Sequence, residues 1–189
     1  MGDRSKRIVE TAVLLAEEGG FENVRLREVA ARSGVALGTL YSRFKSKEDI
    51  LIAALEQEVD KLVRLLDLYP TTGETPKIRV DRFFEMASRT MFMRPNFGRA
   101  VLRAIASGDQ DVADKVAQFH QLVTHLIMCA YNGHAPSHEG EEEVTEEDAR
   151  RAFLLQQIWF ASLVGWMSGL HPETAVFEQM SHATGLILK

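Results

Sequence analysis

The chain has 189 residues, 46% of them hydrophobic and 26% charged, with a formal net charge of −5. That length can bury one sizeable core with a small head, and the acidic total excludes indiscriminate nucleic-acid binding, whose affinity comes from neutralising phosphates. No run has the length and apolarity of a transmembrane helix, and MGDRSKRIVE is charged where a signal peptide is apolar, so a cytoplasmic protein with no membrane partner is expected.

Charge is unevenly spread. Up to Lys47 there are nine Lys and Arg against six Asp and Glu, a balance of +3, which leaves −8 for the remainder. A locally basic head on an acidic body suits site-specific DNA binding. The first helix is expected from about Arg4 to Glu18, with Ile8, Ala12, Leu15 and Ala16 on one face. Gly19-Gly20 ends it, and Phe21 packs back as an anchor.

The run from Leu26 to Lys47, LREVAARSGVALGTLYSRFKSK, has the spacing of a helix-turn-helix. Val29, Ala30, Val35, Leu40 and Phe44 form the inner set, and Gly34 stands where a tight turn needs a positive φ. Leu37, Gly38, Thr39, Tyr41, Ser42 and Arg43 fall at the start or on the outer side of the second helix. A hydroxyl, a phenol, a glycine and a guanidinium suit close approach to phosphates and base edges. Lys45 and Lys47 add positive charge where the next helix begins.

Ser46 with Asp49 has the spacing of a capping box and opens a long fourth helix to about Leu68, able to transmit motion between head and body. Tyr69 to Pro76 breaks the pattern. Five helices are then expected: Lys77 to Met93, Asn96 to Ser107, Asp109 to Asn132, Glu146 to Ser168 and Glu173 to Leu188. The fold class is therefore all-α with about nine helices, residues 1–47 forming the DNA-binding domain and 48–189 an effector-binding and dimerisation domain.

The acidic segment from His134 to Asp148 reads as solvated chain up to Thr145, which with Asp148 caps the following helix. His134, His138 and the glutamates lack rigid ligand spacing, so no metal site is expected. Cys129 has no disulfide partner and reads as a small buried side chain. Gly38-Thr39 is no phosphate-binding loop, and no nucleophile stands beside a histidine. Neither an enzyme nor a cofactor is indicated.

The segments RFFEMASRTMFM and PNFGRAVLRAIA bring Phe83, Phe84, Met86, Met91, Phe92, Met93 and Phe97 into close succession, with Leu102 and Ile105 following. Such side chains line an adaptable cavity for a small lipophilic effector, or simply fill a core. Phe119, His120, Val123 and Ile127 form one stripe, and Trp159, Leu163 and Trp166 another that can face it. His120 and Gln156 would be sparse polar groups orienting the ligand, although satisfied core hydrogen bonds explain both equally well. The candidate ligand contacts are Phe84, Met91, Phe92, Phe97, Leu102, Ile105, Phe119, His120, Val123, Ile127, Trp159, Leu163 and Trp166.

The eighth helix also carries Phe153, Leu154, Phe160, Ala161, Val164 and Met167, which makes it apolar around most of its circumference. With Phe177, Met180, Leu186 and Ile187 in the last helix, that predicts a homodimer interface. Two heads would then meet successive major-groove segments about 34 to 36 Å apart.

The run from Phe21 to Leu51 resembles the DNA-binding domain of TetR-family transcriptional repressors. The shared pattern is Phe21, Arg27, Val29-Ala30, Ser33-Gly34-Val35, Gly38-Thr39-Leu40-Tyr41, Phe44, Ser46-Lys47 and Leu51. The resemblance implies that Tyr41 and Lys47 grip phosphates of double-stranded operator DNA, while Leu37, Gly38, Thr39 and Ser42 lie in or near the major groove. Arg25 and Ala36 depart from it, standing where members often have hydroxyl residues suited to capping. Arg25 could supply a charged phosphate contact or be a solvated arginine, and Ala36 cannot cap with its side chain.

Trp159, Ser162-Leu163 and Trp166, together with ALGTLYSRF, are similar to the repressors of steroid (cholesterol) catabolism in that family, which sense bulky acyl-CoA derivatives of the sterol side chain. The expectation is a repressor released from a palindromic operator by such an effector. A repressor of a fatty-acid or efflux operon, and a DNA-binding dimer without a sensor, are the alternatives.

Overall fold

Glycine decides where the first helices stop. In the computed structural model, which describes residues 2–138 and 145–188, α1 (Asp3–Asn23) leaves helical geometry at Gly19 and Gly20, the latter at φ 70°. One further turn follows, and the Asn23 side-chain amide donates to the Leu15 carbonyl at 3.0 Å. The next helix, α2 (Leu26–Ser33), is closed by Gly34 at φ 65°, ψ 29°, whose N–H meets the carbonyls of Ala30 and Ala31. An L-residue pays about 1–2 kcal/mol for that left-handed conformation. The chain thus turns into α3 (Leu37–Tyr41), as the spacing predicts.

The remaining helices are α4 (Lys47–Leu68), α5 (Pro76–Phe92), α6 (Pro95–Ile105), α7 (Ala113–Asn132), α8 (Glu146–Met167) and α9 (Glu173–Ile187). The described residues contain nine α-helices and no strand, and none of these helices is long and apolar enough to cross a membrane. One start is displaced: the helix expected from Asp109 begins at Ala113, because Asp109 accepts the Asp111 N–H and folds Gln110–Val112 into a 3-10 turn. Thr145 caps α8 as expected, accepting the Asp148 N–H at 3.1 Å. Of the acidic segment read as solvated chain, residues 139–144, with the glutamates weighed there as metal ligands, lie outside the described residues.

The contacts group the chain into two compact units. The first comprises the residues up to Val59 together with Met91–Ala117. Its core combines Ile8, Ala12, Leu15 and Ala16 of α1 with Leu40, Phe44, Ile50 and Leu51, and with Phe97, Val101 and Ala104 of α6. Here α6 lies against α1. At Gly98 an added Cβ would stand 2.8 Å from the Met91 carbonyl oxygen, so the α5–α6 corner closes only around glycine.

The second unit comprises Asp60–Thr90 and the chain from Gln118 onward. Phe83 and Phe84 of α5, Leu126 and Ile127 of α7, and Leu155, Trp159 and Leu163 of α8 form its core, with Val176 and Met180 of α9 packed in. Arg79 ties the unit together by donating to the carbonyls of Gly73, Ala130 and Tyr131, satisfying orphan acceptors at the end of α7. Trp159 gives its indole N–H to Ser88 Oγ at 2.8 Å, both groups being buried. Replacing Ser88 by Ala should therefore cost about 1–3 kcal/mol in urea unfolding, by stranding that N–H. The Ser88→Ala/Trp159→Phe pair should fall short of the sum of the two single changes by about 1 kcal/mol.

Candidate DNA-binding and effector sites

On the helix-turn-helix, Leu40 is fully buried while Tyr41, Ser42 and Arg43 face outward, Tyr41 being 53% exposed. Gly38 is exposed, and a Cβ added there would meet nothing within 4 Å. A helical glycine costs about 0.5–1 kcal/mol relative to alanine, and no packing in the chain accounts for it. Leu37 and Thr39 are half-buried beside Gly38, and Ser42 Oγ returns to the Thr39 carbonyl at 2.8 Å. Arg25 and Ala36 occupy the N-cap positions of α2 and α3, neither with a side-chain cap.

The cations of the head stand in different states. Arg25, at the N-cap of α2, and Arg27 within it are exposed, whereas Arg43 donates to Ser5 Oγ at 2.8 Å. Lys45 reaches Asp111 at 3.1 Å, a hydrogen bond that raises its pKa above the ordinary value. Lys47 lies with its ammonium 3.8 Å from the centre of the Phe21 ring and 3.6 Å from Glu22. Arg103 of α6 shares both partners, 4.5 Å from the ring and 2.7 Å from Glu22.

At the head of α4, Ser46 Oγ accepts the Asp49 N–H at 3.2 Å and donates to Asp109 at 3.1 Å. The buried Asp49 carboxylate accepts the Lys45 N–H at 3.0 Å and the Lys115 ammonium at 2.5 Å. The capping residues found by spacing are thus joined to the α6–α7 corner, a link no local pattern announces. Arg94, before α6, likewise pairs with Glu17 of α1 and Glu58 of α4. These partners are up to 77 positions away in the chain, so periodicity carried no signal of them.

The candidate ligand contacts divide. Met91, Phe92, Phe97, Leu102 and Ile105 belong to the first unit, and Phe84, Phe119, His120, Val123, Ile127, Trp159, Leu163 and Trp166 to the second. Within the second, the Phe84 ring lies 5.6 Å from that of Trp159, and Val123, Ile127, Leu163 and Trp166 are buried. The Gln156 amide bridges Nδ1 of His120 and the Thr124 hydroxyl, the latter at 2.7 Å. Phe119 and Phe160 present their rings to His120 at 5.6 and 5.8 Å. Nε2 of His120 has no hydrogen bond among the described residues.

The α8 and α9 residues expected at a subunit interface separate by face. Phe153, Leu154 and Leu186 are exposed, and an open groove of about 760 Å³ runs along Ile158, Ala161, Ser162, Gln179, Leu186 and Ile187. Met180 is 2% exposed and so fills its own unit instead of facing a partner. Phe177 borders a different groove, against Phe84 and Arg89 of α5.

An all-α chain with an outward-facing helix-turn-helix and a separate helical body defines a DNA-binding transcriptional regulator. A family model for bacterial regulatory proteins of the tetR family matches residues 8–54, and one for the tetracyclin repressor-like C-terminal domain matches residues 73–187. The chain belongs to the TetR family, whose members are transcriptional regulators and not enzymes. It is 30% identical over 187 residues to the HTH-type transcriptional repressor KstR of Mycobacterium tuberculosis, covering 98% of this chain and 81% of that one. The KstR of Rhodococcus jostii is also 30% identical, with 98% and 83% covered. Among solved structures, a TetR transcriptional regulator from a Rhodococcus species superposes with a TM-score of 0.83 at 25% identity, covering 98% and 95%. The Bacillus subtilis regulator FadR in complex with stearoyl-CoA shares the fold, with a TM-score of 0.65 at 17% identity over 95% and 96%.

Two outcomes follow from this geometry. Gly38→Ala should raise thermal stability by about 0.5–1 kcal/mol yet weaken operator binding at least tenfold in fluorescence anisotropy; unchanged binding would place Gly38 away from DNA. Burial pushes the His120 pKa below its ordinary value, so the unfolded chain takes the proton first. The stability held by the neutral ring is thus present above about pH 6.5 and declines as pH falls below it. His120→Asn should flatten that part of the urea-unfolding profile.

Proposed function

We propose that the chain is a homodimeric repressor that binds a palindromic operator in the cytoplasm and releases it when a bulky lipophilic effector enters the helical body. The observation that carries the DNA half is the outer face of α3, where Gly38 leaves open space beside Thr39, Tyr41 and Ser42. In this reading residues 1–47 form the reading head, Leu37, Gly38, Thr39 and Ser42 meet base edges, and Tyr41, Arg25, Arg27 and Lys47 meet phosphates. The exposed face of α8 and α9 meets a second copy, since TetR regulators bind operators as dimers.

For the effector half, the likeness to KstR favours a steroid or acyl-CoA derivative, and the FadR structure with stearoyl-CoA shows that this fold admits an acyl-CoA. Nε2 of His120, set among Phe119 and Phe160, is suited to an ester, thioester or carboxyl oxygen on a mostly apolar molecule. Linkage requires the effector to bind the DNA-free conformation more tightly.

Sequencing the DNA retained by the purified protein should return a palindrome. Titrating sterol-side-chain and long-chain acyl-CoA esters into that complex should lower operator affinity by about 5- to 150-fold for the matching class. If no ester changes the affinity, the induction half is lost and the sensorless DNA-binding dimer remains.

A further inference from the structure

Between the first two turns of α1 and the helix-turn-helix lies a cleft of about 260 Å³ that local sequence patterns do not announce. Arg4 and Arg7 line one side, and Gly34, Val35, Ala36 and Thr39 the other. Arg4 is exposed and has no carboxylate partner among the described residues. Arg7 has only Asp3, at 3.7 Å with both side chains well exposed, a pairing too loose to hold it. The cleft floor is small: Gly34 has no side chain, and Ala36 offers only a methyl group. Arg43, just beyond α3, donates to Ser5 Oγ of α1 beside the cleft.

We infer that Arg4 and Arg7 form a seat for a backbone phosphate of the operator duplex. Two guanidinium groups lining one cleft offer the paired N–H donors that the oxygens of a phosphodiester accept. The occupant is duplex DNA because the cleft shares Thr39 with the face of α3 proposed to enter the major groove, so any duplex engaged there carries its backbone past α1. This inference rests on the operator-binding reading above.

The test is the salt dependence of binding by the full chain to its selected operator and to a scrambled duplex. The Arg4→Gln and Arg7→Gln variants should each bind both duplexes roughly tenfold more weakly and flatten the log–log salt slope by about 0.9, and the double variant by about 1.8. An Arg4→Lys/Arg7→Lys variant should keep the slope and lose affinity, since an ammonium retains charge without the planar fork. Lys6→Gln removes a cation from the same turns of α1, outside the cleft, and should leave the slope unchanged. Circular dichroism melts confirm that each variant folds. A double glutamine variant with the wild-type slope, or an equal loss in Lys6→Gln, would overturn the seat while leaving operator binding intact. Competition by inorganic phosphate at constant ionic strength, with no change in the duplex slope, would reduce the cleft to a free-anion site and overturn it too. Failure of the wild-type protein to retain any duplex would remove the operator reading and the seat together.

Discussion

Packing of α6 against α1 is the constraint on which the head depends. Three short helices of fewer than 50 residues bury too little apolar surface to be stable alone. The stripe of Ile8, Ala12, Leu15 and Ala16 needs a cover, and Phe97, Val101 and Ala104 supply one from a segment some 80 positions later. Gly98 permits the corner that delivers α6, and Arg94 and Arg103 fasten it to Glu17, Glu58 and Glu22. Any displacement of α6 must either carry α1 with it or break those pairs.

The same unit shows how a chain of net charge −5 presents a cationic surface selectively. Lys45 and Lys47 are held by Asp111 and by Phe21 with Glu22, while Arg4, Arg25 and Arg27 extend into solvent. Exposed ion pairs are weak, on the order of 1 kcal/mol or less, so a phosphate can displace them at small cost. The three exposed arginines need no such exchange.

Much of the helical pattern was legible because it is decided within a turn or two of chain. Gly34 sits at the left-handed turn its spacing requires, Ser46 and Thr145 cap the helices they precede, and Gly19-Gly20 interrupts α1. Asp109 misled for an equally local reason: its carboxylate bonds two residues ahead, which favours a 3-10 turn over the α-helical register. The interface and sensor residues were harder to read. Met180 and Leu186 are both apolar members of α9, yet one is buried within its unit and the other is 59% exposed. Apolarity alone cannot separate an internal face from a partner face, and the same holds for packed core against ligand lining.

By itself, the sequence determined the helices, their punctuation, the helix-turn-helix and the outward set on α3, since each follows from hydrophobic period and turn chemistry acting over a few residues. Tertiary structure alone decided that α6 completes the head, that Arg4 and Arg7 line one cleft with Thr39, that Ser88 receives the Trp159 indole proton, and that Gln156 bridges His120 and Thr124. Those pairings join positions about 30 to 90 residues apart. Which side chains meet across such distances depends on how whole helices pack, and nothing in the spacing along one helix encodes it.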